Sequence, residues 1–149
     1  MNIAVIETTN KVTIMRFYNE MVNGGRLEVS EALFADDFKV DHPHENESLV
    51  GPEGVREIVS NIQNGFPDFH IQLTELIAED MTVTAHFRAS GSNIGEFLGL
   101  APTRKRISVN CIAKFELGDG KIINAWIHCD DLGIKLKPGL LPIVAELIA

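Results

Sequence analysis

The chain has 149 residues, 45% apolar and 23% charged, the composition of one globular domain with a core of its own rather than of a disordered chain. Its net charge of −8 disfavours nucleic acid and anionic membrane as partners, since both need a basic surface, and leaves a neutral ligand as the expected one. The start MNIAVIETTNK lacks the basic region of a signal peptide, and no run nears the roughly 20 apolar residues of a membrane span, so a cytoplasmic protein is expected.

The first third reads as helix. In TTNKVTIMRFYNEMVNGG, Ile14, Phe17, Tyr18 and Met21 recur at helical spacing, with Thr9 or Asn10 as the cap and Gly24-Gly25 as the stop. LEVSEALFADD gives a shorter second helix. FKVDHPHENES starts extended and turns into a loop at Pro43. GPEGVREIVSNIQNGFP opens a third helix with Pro52 in its first turn. Val55, Ile58, Val59 and Ile62 form its apolar face.

After residue 67 the period changes to two. FHIQLTELIA and MTVTAHFRAS read as a hairpin about Glu79-Asp80. ISVNCIAKFEL sets Ile107, Val109, Cys111, Ala113, Phe115 and Leu117 on one face, and GDG turns the chain into KIINAWIHCDDLG. Three helices followed by a meander of long strands predict one α+β domain over 1–149: a curved antiparallel sheet with the helices on its concave side. The apolar tail 139–149 is left open as a lid, an oligomer contact or a docked helix. Cys111 and Cys129 lack the spacing of zinc or redox motifs and read as buried thiols.

In AWIHCDDLG, strand alternation puts Trp126, His128 and Asp130 on one face, and Ala125, Ile127, Cys129 and Asp131 on the other. A wet surface gains little from the tryptophan, whereas a pocket uses all three side chains. Asp130, partly desolvated beside Trp126, suits a general base. The plainer reading is a solvated aspartate or a turn cap. His128 lies within reach of a water-mediated proton relay to it.

DHPHENE offers Asp41, His42, His44, Glu45 and Glu47, but Pro43 interrupts the strand between the histidines. A single polar group entering the pocket, His42, is therefore expected in preference to a metal site. His70, His86 and Arg88 fall on the polar faces of their strands, and TRKR reads as an exposed turn. No nucleophile elbow, Walker loop or dinucleotide fingerprint is present.

In order, RFYNEMVNGG, LFADDF, VDHP, GPEGV, FPDFHI, GSNIGEFLGLAPT, DGKIINAW and the later DDLG resemble the SnoaL-like polyketide (ester) cyclases of the nuclear transport factor 2-like superfamily, over about residues 10 to 135. The resemblance implies a cone-shaped α+β barrel around a cavity. It also implies a cofactor-independent, metal-free intramolecular aldol cyclisation of a polyketide-like substrate, in a homodimer or homotetramer. Asp130 would deprotonate a carbon between two carbonyls. His128 and Asn93 are the further candidate catalytic residues of this chain, and Trp126, His42, Tyr18, Phe97 and His86 its candidate substrate contacts.

Asn93 stands where many members carry a histidine, His128 where they are usually apolar, and Arg104 where they commonly have glycine. A related isomerase, dehydratase or hydroxylase, or a non-catalytic binding protein, is the alternative.

Overall fold

The computed structural model describes residues 2–40, 50–97 and 101–129. Helix α1 (Ile3–Arg16) opens at Asn2, whose side-chain oxygen accepts from the Ala4 amide at 2.9 Å. That earlier asparagine satisfies the orphan amides first, so the helix begins about two turns before the expected cap and Asn10 lies buried inside it. After Arg16 the hydrogen bonding widens into a π-helix, Phe17–Asn23. The glycine pair ends it as expected: a Cβ at Gly24 would meet the Glu20 carbonyl oxygen at 2.6 Å, and Gly25 takes φ of 70°.

A 3-10 turn (Leu27–Val29) leads into the short α2 (Ser30–Leu33) and β1 (Phe34–Val40). Helix α3 (Gly51–Gly65) carries Pro52 in its first turn, where no amide hydrogen is missed. Val55, Ile58, Val59 and Ile62 are all buried, as the spacing predicts. Each such side chain contributes about 1.5–3 kcal/mol by leaving water.

Strands β2 (His70–Glu79), β3 (Thr82–Ser92), β4 (Arg106–Gly118) and β5 (Lys121–Cys129) follow. The turns between them use left-handed backbone at Asp80, Asp119 and Gly120. The sheet order is β1-β5-β4-β3-β2, curved and not closed, with β1 and β2 at its edges. Neighbours are antiparallel except β1, which runs parallel to β5, so the sheet is mixed where an all-antiparallel one was expected. The period-two pattern marks a strand but carries no direction. β1 pairs with β5 and not with a sequence neighbour, so no tight turn forces the two to run antiparallel.

The helices cover one face. Val83, Ala85, Phe87 and Ala89 of β3 and Ile107, Val109, Cys111, Ala113, Phe115 and Leu117 of β4 point into the core, the faces the alternation assigned. Among the described residues no helix is long and apolar enough to cross a membrane.

Candidate functional site

Between the helices and the buried sheet face lies a cavity of about 50 Å³ with apolar walls. The π-helix supplies Phe17, Tyr18 and Val22, α3 supplies Val55, Ile58 and Ile62, and the sheet supplies Phe115, Ala125 and Ile127. A π-helix spreads the backbone over one extra residue per turn, which re-aims the side chains that follow it, and such segments concentrate at functional sites.

Two amide side chains fix this one. Asn23 Nδ2 donates to the Ile71 carbonyl at 2.8 Å, and the Ile71 amide donates back to Asn23 Oδ1 at 2.7 Å. Gln63 Nε2 donates to the Val22 carbonyl at 3.3 Å, tying α3 to the same segment. Neither residue was singled out from sequence, because in MVNGG the asparagine is indistinguishable from a helix-stop signal. Its role exists only through a partner 48 positions away.

Tyr18 is 3% exposed, and its ring packs on Phe87 at 5.0 Å and forms part of the cavity wall. Its hydroxyl is buried and, among the described residues, has no hydrogen-bond partner. Burial first, then the neighbouring Cys111 and Cys129, hold the phenol well above its ordinary pKa, so it stays a protonated donor. A buried hydroxyl without a partner costs about 1–3 kcal/mol, which native structures rarely tolerate without a reason.

The other expected site residues scatter. Trp126 is 45% exposed, on the outer face of β5. Residues opposed across an antiparallel pair share a face, and the register sets Trp126 against exposed Lys114, but Ala125 against buried Phe115. The cavity therefore meets Ala125 and Ile127, and the expectation that Trp126 and His128 line it is corrected. The apolar side of the strand, not its aromatic side, faces the core.

Trp126 instead stacks on exposed His128, with ring centres 6.1 Å apart and planes 11° from parallel. In the monomer its fluorescence is accordingly expected to be that of a solvent-exposed indole, quenched by iodide. A blue-shifted emission resistant to quencher would place it against another surface.

His86 also points outward, 3.9 Å from Glu75. Phe97 is buried, but against Phe66 and Gly65 and away from the cavity. Asn93 is wholly buried with its amide committed to backbone. Nδ2 donates to the carbonyls of Gly65 at 3.2 Å and Gly95 at 3.0 Å, and Oδ1 accepts from the Thr103 amide at 2.7 Å. It clamps the turn at Thr103–Lys105 instead of facing a ligand. Arg104, in that turn, has φ of 61°, a conformation that suits the glycine common at this position. Asp130 and His42 lie outside the described residues. Among the described residues, no three His, Cys, Asp or Glu side chains gather as a metal site.

A family model described as SnoaL-like polyketide cyclase matches residues 12–136. No curated protein matches the chain. Among solved structures, a protein of Jannaschia sp. CCS1 described as a SnoaL-like polyketide cyclase superposes with a TM-score of 0.77 at 25% identity, covering 87% of this chain and 91% of that one. TsrD from Streptomyces laurentii gives a TM-score of 0.76 at 23% identity, over 89% and 96% of the two chains. AclR of Streptomyces galilaeus, described as a hydroxylase, gives 0.71 at 16% identity, over 88% and 96%.

Proposed function

The chain belongs to the SnoaL-like polyketide cyclase family, and from that premise we propose that it is a cofactor-independent enzyme of acid–base carbon chemistry. It closes a ring on a polyketide-like substrate held against the apolar cavity. The observation that carries this reading is Tyr18, a cavity-lining residue whose buried, protonated hydroxyl has no hydrogen-bond partner among the described residues. A carbonyl oxygen of the substrate is the partner it lacks. As a proton leaves the carbon beside that carbonyl, charge builds on the oxygen, and a donor already desolvated and in place stabilises the enolate more than the ground state.

Asp130 is the proposed base, on the strength of the family resemblance. It removes the proton between two carbonyls, and the enolate carbon then attacks a second carbonyl to close the ring. For this its carboxylate must reach the side of β5 on which Cys129 is buried.

A cavity of about 50 Å³ holds only a few water-sized groups, so a ring-sized substrate has to displace part of the wall. The exposed outer sheet face around Trp126 is the proposed contact of a homodimer or homotetramer. A protein that only binds a small apolar ligand is the second reading. It is favoured by one observation: among the described wall residues, Tyr18 alone carries an ionisable group.

The test compares product formation from candidate poly-carbonyl substrates by the wild type and Asp130→Asn. Loss of a hundredfold or more in kcat, with the fold and substrate affinity retained, is expected for a removed general base. A silent substitution would end the base assignment and leave the binding reading.

A further inference from the structure

Cys111 and Cys129 are direct partners in the β4–β5 register, so their side chains leave the sheet on the same face. Both are buried in the core, and neither is joined in a disulfide. Phe87 opposes Cys111 on the other side, and the ring that packs on Phe87 is that of Tyr18. The two sulfurs thus lie side by side behind the Tyr18 wall of the cavity.

Directly opposed residues of an antiparallel pair have Cα atoms about 4.5 or 5.5 Å apart, according to whether the pair lacks or exchanges backbone hydrogen bonds. Both values fall within the roughly 4.4–6.8 Å that a disulfide spans.

We infer that Cys111 and Cys129 are a cross-strand dithiol that hydrogen peroxide converts to an intramolecular disulfide, a modification site behind the cavity-lining Tyr18. The proposal stands on the strand register and holds whether or not the protein is a cyclase. One thiol, as its thiolate, attacks a peroxide oxygen. The O–O bond breaks, the sulfur becomes a sulfenic acid, and the departing hydroxide takes the thiol's proton as water. The second sulfur then attacks the sulfenic sulfur, the S–S bond forms, and the S–O bond breaks. The hydroxide released takes the second thiol's proton. The two sulfurs have given two electrons to the peroxide, which leaves as two waters. The first thiol to react waits next to its resolving partner on a rigid sheet, so ring closure outruns further oxidation.

The test oxidises the folded full-length wild type with hydrogen peroxide, blocks remaining thiols in denaturant, and maps peptides by mass without reduction. A monomer lighter by two hydrogens, with the Cys111 and Cys129 peptides joined and released again by dithiothreitol, is the expected result. Cys111→Ser and Cys129→Ser, oxidised alike, should each end as a sulfenic or more oxidised thiol with no internal crosslink. Disulfides only between molecules, sulfinic acid on one cysteine of the wild type, or thiols still intact after doses that oxidise the unfolded chain would each overturn the proposal.

Discussion

Tyr18→Phe is expected to give a more stable protein and a worse one at handling its ligand. The phenol oxygen is buried beside Cys111 and Cys129 with no partner among the described residues, and the folded state bears its desolvation cost. Removing the oxygen keeps the ring, its packing on Phe87 and its place in the wall, while lifting a penalty of about 1–3 kcal/mol. In a domain of this size that appears as a rise in Tm of roughly 2–10 °C, read by calorimetry on ligand-free protein.

The same change deletes the hydrogen bond proposed to meet the substrate's developing enolate. A bond to a charged acceptor is worth about 1.5–3 kcal/mol, so kcat/KM is expected to fall by roughly 10- to 150-fold. The opposed signs are the diagnostic, because a wall residue that merely packs would lose nothing in turnover. A variant less stable than the wild type, with unchanged turnover, would show that the hydroxyl has an unseen structural partner and would remove Tyr18 from the mechanism.

Much of this site follows from local pattern, and the parts that do not have a common physical cause. The core faces of β3, β4 and α3 were legible because burial imposes one period on each element. That is why Ile107 to Leu117 alternate without a break and Val55 to Ile62 recur at helical spacing. The same alternation divided β5 correctly into two faces, Trp126 with His128 and Ala125 with Cys129. It did not say which of them meets the cavity. That depends on pairing, and Lys114 opposite Trp126 decides it.

The π-helix was invisible for a related reason. Phe17, Tyr18 and Met21 satisfy helical spacing, and the widening is set by tertiary bonds from Asn23 to Ile71 and from Gln63 to Val22. The family resemblance named the fold and put Tyr18 among the contacts. It could not reveal that the tyrosine's hydroxyl finds no partner among the described residues, which is a property of the packed interior alone.

Asn93 separates a structural from a chemical role most sharply. As a donor to an enolate it would face the cavity with capacity to spare, and Asn93→Ala would cost turnover while leaving the fold intact. Its side chain, itself wholly buried, instead has both amide hydrogens and its oxygen committed within one clamp. The Gly65 carbonyl also receives the Ile94 and Gly95 amides, so it keeps partners without Asn93. The Gly95 carbonyl and the Thr103 amide lose theirs, and a small void opens at a position with no solvent access. Two deprived backbone groups and that void together predict a loss of about 2–4 kcal/mol on urea unfolding.

Asn93→Asp sharpens the test, because it keeps the acceptor for Thr103 but sets a carboxylate oxygen against the carbonyls of Gly65 and Gly95. That places a buried charge among acceptors, and the variant is expected to be at least as unstable as alanine. If both variants instead unfold like the wild type while turnover collapses, Asn93 is a group that acts on substrate. Its bonds to backbone would then be those of the resting state alone.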